Sequence, residues 1–198
     1  MYRIRLNRLK TSRHMTEEEI AAERLLIEAS KKDVRKFSAL YDRYFEGIFE
    51  FIYRRTDDEA LSDDLCSQTF FKALENLKRY EFRGLPFSAW LYRIATNEVN
   101  KHFNKTNRNR VFSLEEERVK ELMDAEDEGF TQAQLDLLKK TLSELPTATV
   151  EILELRFFEQ RSFSEIAYIL NIGESGAKMR LYRAVEKLRS HFNISWRE

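Results

Sequence analysis

The chain has 198 residues but only one cysteine, two prolines, five glycines and three histidines. A single cysteine closes no internal disulfide, so the fold rests on packing, and a reducing cytosol is the matching compartment. So few glycines and prolines cannot supply the many tight turns of a β-sandwich, a barrel or a doubly wound sheet. His14, His102 and His191 lie far apart, and no two have metal-ligand spacing, so neither a metal nor a cofactor is expected. No apolar run approaches the roughly 18 residues that cross a bilayer, so no membrane insertion is expected. There is no glycine-rich phosphate loop and no nucleophile elbow. Paired acids such as Asp63 and Asp64 point apart on a helix. The sequence offers no catalytic residue, and a non-enzymatic role is expected.

What is present is apolar residues (42%), aromatic residues (13%) and charge (34%). The charged fraction exceeds the ordinary share of about 25% and suits exposed helix faces. Lys and Arg total 34, as do Asp and Glu, but the zero sum hides placement. Residues 1–15 carry +5, 16–77 carry −6, 78–110 carry +6, 111–130 carry −6, 131–170 carry −2 and 171–198 carry +3. Two basic stretches separated by an acidic one point to segments with different partners.

Helical spacing marks Phe37, Leu40, Tyr41, Tyr44, Phe45, Ile48 and Ile52 as one apolar stripe. Leu65, Cys66, Phe70, Ala73, Leu74 and Leu77 make a second, and Phe87, Trp90, Leu91, Ile94 and Ala95 a third. An earlier helix contains Leu25, Leu26 and Ala29, and starts at Thr16 with Glu19 at capping-box spacing. These four helices close an N-terminal bundle over residues 16–106, preceded by a disordered extension over 1–15. Residues 107–130 read as an acidic linker, with a short helix after Ser113, which has Glu116 three residues on. Order resumes at Thr131, where Gln134, Phe130 and Leu135 suit a capping box and hydrophobic staple. A second helical unit fills 131–198, and Pro146 fits the first turn of one of its helices. The fold class is therefore all-α, with two small helical domains joined by an acidic linker.

The sharpest local pattern runs from Ser162 to Arg183. Ser162 and Glu165 form a capping box, and Ile166, Ala167 and Leu170 face inward from the helix it starts. Asn171, Ile172 and Gly173 supply a tight turn. A longer helix follows, with Ala177, Leu181, Ala184, Val185 and Leu188 for packing. This is a helix-turn-helix whose second helix is free to enter a major groove. Lys178, Arg180 and Arg183 project beside its apolar stripe, and Glu174 and Ser175 stand near its start, where base edges are met. An ordinary helical hairpin with a solvated basic face would show the same charges.

The other basic stretch presents Arg93, Asn97, Asn100 and Lys101 on the polar side of the helix that begins at Phe87. The loop before it holds Phe82 and Arg83. Cations meet phosphates, asparagine reads base edges and an aromatic pocket holds an unstacked base. Phe82 is equally suited to a place in the core.

Together these two regions resemble the extracytoplasmic-function (ECF) group of bacterial RNA polymerase sigma factors. Residues 87–97 read FSAWLYRIATN, similar to that family's Phe-x-x-Trp-Leu-Tyr-Arg-Ile-Ala-x-Asn signature, and Phe82 to Gly84 match the loop before it. Leu145, Pro146, residues 155–159 and the helix-turn-helix resemble the family's C-terminal DNA-binding domain. The chain departs from the pattern at Ser67, Lys101, Gln160, Arg161 and Gly176.

The resemblance implies a sigma factor that binds RNA polymerase core and directs promoter-specific initiation. Its first domain would bind the β′ clamp helices through Asp64, Leu65, Gln68, Thr69 and Phe70. Phe82, Arg83, Arg93, Asn97, Asn100 and Lys101 would melt and read the −10 element. The second domain would dock on the β flap and read the −35 element with Glu174, Ser175, Lys178, Arg180 and Arg183. An anti-sigma partner and a cytoplasmic location are also implied. The alternative from the residues alone is a helix-turn-helix regulator that acts without being a polymerase subunit.

Overall fold

In a computed structural model of the chain, residues 15–106, 136, 140, 141 and 145–192 are described, with side chains as far as 187. Every regular element among them is helical, as the scarcity of turn residues implies. The expected linker helix after Ser113, the Phe130–Leu135 staple, the extension before Met15 and the Leu188 side chain lie outside the described residues.

Helix α1 (Glu17–Lys32) begins with the capping box that Thr16 and Glu19 announce. The Glu19 amide donates to Thr16 Oγ1 at 3.2 Å, and the Thr16 amide donates to Glu19 Oε2 at 2.8 Å. Three acids in its first turn and two lysines in its last complement the helix dipole. Its inward residue is Ile27, whereas Leu25, expected among the packed residues, is 73% exposed. Two positions separate them, enough on a helix to put one outside when the other is inside.

Helix α2 (Ser38–Thr56) buries Leu40, Ile48, Phe51 and Ile52. It ends where Asp57 takes the left-handed conformation (φ 51°), and Asp58 then caps α3 (Glu59–Asn76) by accepting from the Leu61 amide at 3.0 Å. Helix α4 (Phe87–Thr106) completes the bundle with Phe87, Leu91, Ala95 and Val99 fully inside. Each large side chain so buried contributes roughly 1.5–3 kcal/mol relative to exposure. Cys66 is fully buried and free, as its place on the apolar face implies.

The second unit is shorter. Helix α5 (Thr147–Leu153) starts after Pro146, which stands at the N-cap, one position before the first turn. It runs into a π-helical turn, Glu154–Phe158, closed by the Glu159 amide donating to the Glu154 carbonyl at 3.0 Å. Helix α6 (Phe163–Leu170) opens on the Ser162/Glu165 capping box. The chain reverses at Asn171, in the left-handed conformation (φ 54°, ψ 48°), before α7 (Glu174–Phe192). Ala177, Leu181 and Ala184 hold α7 against its neighbours. Helix α4 of the first unit packs on α6 of the second, and one continuous buried cluster serves both.

Candidate nucleic-acid interface

The loop between α3 and α4 is held by side chains of α1. Lys31 Nζ on α1 donates to the Tyr80 carbonyl at 2.8 Å, and the Arg24 guanidinium lies 5.2 Å from the Phe82 ring centre. Gly84 reverses the backbone at φ +73°, a conformation that costs other residues energy. The buried Glu23 carboxylate accepts from the Phe87 amide at 2.7 Å and from the Tyr44 hydroxyl, fixing where α4 begins. Its charge at a helix N-terminus is favourably placed.

This frame leaves a cleft of about 330 Å³ lined by Arg79, Tyr80, Glu81, Arg83, Trp90, Arg93 and Tyr168. Three guanidinium groups and three aromatic rings converge there, the chemistry that holds an unstacked base beside its phosphate. Along α4, Asn97 and Lys101 are exposed, and Asn100 is half-buried. Phe82 is half-buried and Arg83 exposed at the cleft mouth. Arg93 is already engaged: it donates to the Tyr168 carbonyl at 3.3 Å and to Asn171 Oδ1 at 3.2 Å.

A second basic face lies on α7. Glu174, Ser175, Lys178, Arg180 and Arg183 are all exposed, and Lys178 pairs with Glu174 one turn back at 2.9 Å. Two neighbours escaped the sequence reading: Met179 and Tyr182 are exposed on the same helix. An apolar side chain left in water beside arginines was the available signal.

On α3 the structure divides the residues assigned to polymerase contact. Asp64 and Gln68 are exposed, whereas Leu65, Thr69 and Phe70 point into the bundle core. Phe71, unassigned in the sequence, is 61% exposed beside them. Along α2, Tyr41, Phe45, Phe49 and Tyr53 stack at one-turn intervals, with ring centres 5.1 to 6.1 Å apart.

Sequence reasoning missed the junction between the two units. Arg55, fully buried at the end of α2, donates through Nε to Glu154 Oε2 at 2.7 Å. Its neighbour Arg54 pairs with Glu159, which also accepts from the Tyr92 hydroxyl. Burial, then the Glu159 charge, hold that hydroxyl above its ordinary pKa, so it stays a donor. Arg161 stacks 4.2 Å above the Tyr92 ring and donates to Ser88 Oγ at 3.0 Å. The π turn brings Glu154 and Glu159, five residues apart, to the same side. Burial pushes the Glu154 carboxyl above the usual carboxylate range despite the pull of Arg55 and Arg54.

Two helical units, one with a basic aromatic cleft and one with a helix-turn-helix, define a two-domain DNA-directed factor. The Sigma-70 region 2 family matches residues 40–109, and Sigma-70 region 4 matches 141–190. The ECF RNA polymerase sigma factor BldN of Streptomyces coelicolor is 32% identical over 171 residues, spanning 83% of this chain and 63% of that protein. The ECF RNA polymerase sigma factor SigM of Bacillus subtilis is 25% identical over 156 residues, spanning 78% of this chain and 93% of that one. The chain belongs to the ECF group of RNA polymerase sigma factors, initiation factors that direct promoter-specific transcription. CnrH, solved with the cytosolic domain of CnrY, shares the fold at a TM-score of 0.60 and 23% identity, over 87% of this chain and 97% of that one. Among the described residues no helix is long and apolar enough to cross a membrane.

Proposed function

We propose that the chain is a non-catalytic subunit that brings polymerase core to promoters in the cytoplasm, with the two basic faces dividing the reading. The first domain takes the −10 element as a melted single strand. Asn97 reads a base edge, Asn100 and Lys101 follow the strand, and Phe82, Arg83 and Arg93 hold an extruded base at the cleft. The observation that carries this is the cleft itself, where arginines and aromatic rings meet, with Asn97 exposed on α4 four residues after the lining residue Arg93.

The second domain takes the −35 element as duplex. Glu174 and Ser175 stand where a recognition helix meets base edges, and Lys178, Arg180 and Arg183 bind phosphates and guanines. Tyr182 adds a phosphate contact and Met179 an apolar one to a thymine methyl.

Polymerase core is met by Asp64 and Gln68 at the exposed face of α3, together with Phe71 and Tyr41. Leu65, Thr69 and Phe70 hold that helix in place from within. The β′ clamp helices are the partner of this face, and the β flap that of the second domain. CnrH was solved with the cytosolic domain of CnrY, and the sigma factor RpoE of Bartonella quintana with the anti-sigma factor NepR, which supports an anti-sigma protein for this chain also. A helix-turn-helix regulator working without polymerase has no use for the region 2 domain.

Reconstituted initiation separates the roles. Asn97→Ala should lower promoter opening while core binding in a pull-down stays at the wild-type level. Loss of core binding with intact helices would remove Asn97 from the DNA face.

A further inference from the structure

The cleft at the start of α4 is not lined by the first domain alone. Tyr168, on the first helix of the helix-turn-helix, forms part of its wall. The Arg93 guanidinium lies 5.1 Å from the centre of the Tyr168 ring, and that of Arg83 lies 5.8 Å away. Arg93 also spends its donors on the Tyr168 carbonyl and on Asn171. An aromatic ring engaged by two arginines is the environment that an extruded base would find there.

We propose that this chain has a closed, self-inhibited state in which Tyr168 takes the place of the base, so that the second domain is a lid on the first domain's single-strand site. The inference rests on the reading of α4 as the −10 face.

Two further observations support it. The first is distance. Promoter elements centred at −10 and −35 stand 25 base pairs apart, roughly 85 Å of duplex at about 3.4 Å per pair. Here Arg93 is bonded to Asn171, three residues before the recognition helix begins at Glu174. Three residues span at most about 11 Å of chain. The closed arrangement cannot read both elements at once, and separation of the two units must precede promoter engagement.

The second is the make-up of the junction. It is clamped by charge: Arg55 with Glu154, Arg54 with Glu159, and Arg161 against Tyr92 and Ser88. Arg55 Nη1 and Nη2 and Glu154 Oε1 are buried without a hydrogen-bond partner among the described residues. Separation lets water reach those atoms, which offsets part of the contact that is lost. A junction of this kind holds the closed form and still releases it when polymerase supplies two docking places farther apart. The −35 face takes no part in the closure, since Arg180 and Arg183 on α7 stay exposed.

The test measures binding of the full chain, without polymerase, to a fluorescein-labelled pool of random single-stranded DNA and to random duplex. Tyr168→Ala should raise single-strand affinity about tenfold, the size of two lost cation–π contacts, because a larger fraction of the protein becomes competent. Tyr168→Phe, which keeps the ring, should bind like the wild type, and duplex affinity should be the same for all. Glu159→Gln loosens the clamp without touching the ring and should raise single-strand affinity too; it decides the matter if Tyr168→Ala disturbs the helices by circular dichroism. Single-strand binding unchanged, or undetectable, in both opened variants overturns the lid. The −10 reading is tested separately by Asn97→Ala in transcription, so it can stand while the lid falls.

Discussion

Arg55 and Glu154, 99 positions apart in the chain, meet at 2.7 Å with almost no exposure on either side chain. Neither ion is fully satisfied: the rest of the Arg55 guanidinium rests on the Phe51 ring, 3.9 Å from its centre. Such a pair gains little over apolar packing but is expensive to break from one side. Arg55→Ala, which strands Glu154, should therefore cost about 3–5 kcal/mol. The double variant Arg55→Met with Glu154→Met should be neutral or more stable. Urea unfolding followed by circular dichroism checks both, and a harmless Arg55→Ala would mean that the pair is not buried in solution.

The same pair makes closure depend on pH. Burial holds the Glu154 carboxyl above its ordinary range in the closed form, against the attraction of Arg55 and Arg54, while Glu159 adds to the upward push. Exposed to water in an open form, the group returns to its ordinary value. The closed form therefore binds the proton more tightly. Closure strengthens as pH falls through the raised value toward the ordinary carboxylate range, and weakens as pH rises above it. Small-angle scattering across that range should show a smaller radius at the acidic end, and Glu154→Gln should flatten the trend. A radius that grows on acidification, with helix content constant, contradicts this sign.

Of the helix starts that the sequence announces, those at Thr16 and Ser162 are present as reciprocal capping boxes, those at Ser113 and Thr131 lie outside the described residues, and the turn residue Asn171 is left-handed. These features are local, and spacing within a few residues encodes them. The placement of Leu25 was not legible, because a stripe read on neighbouring apolar residues does not fix which of them faces out. Helical spacing put Leu65 and Phe70 on an apolar stripe, whereas the family motif named them for polymerase contact; the inward turn of Thr69 had no such signal, since a motif names positions without saying which side meets the partner. The clamp was the least legible of all. Arg54 with Glu159 and Arg55 with Glu154 join residues 105 and 99 positions apart, and no periodicity records a contact of that range. The nearest hint is two adjacent arginines at the end of the apolar stripe of α2.

Cys66 offers a probe of the first domain. It is fully buried, and burial, with the Asp63 charge added, pushes its thiol up to about 12. The thiolate is the reactive form, so iodoacetamide near neutral pH should leave the folded protein unlabelled and modify it fully in denaturant. Rapid labelling of native protein, scored by mass spectrometry, would show that the bundle opens readily.

Gly176 sits in the first turn of the recognition helix, and a Cβ added there meets nothing within 4 Å. Gly176→Ala should thus stabilise the second domain by roughly 0.5–1 kcal/mol, through reduced backbone entropy in the unfolded chain. A rise in the thermal midpoint with unchanged duplex binding is expected. A fall would place the backbone at Gly176 in a conformation that tolerates no side chain.

On the function proposed above, this chain gives promoter specificity to RNA polymerase through both of its basic faces. The direct measurement is run-off transcription by purified core polymerase on a library of genomic fragments, with and without the full chain. Discrete transcripts should appear that require the chain and that weaken when Asn97→Ala or Arg180→Ala is used in its place. Core that neither binds the chain at low salt nor initiates with it would rule out that function.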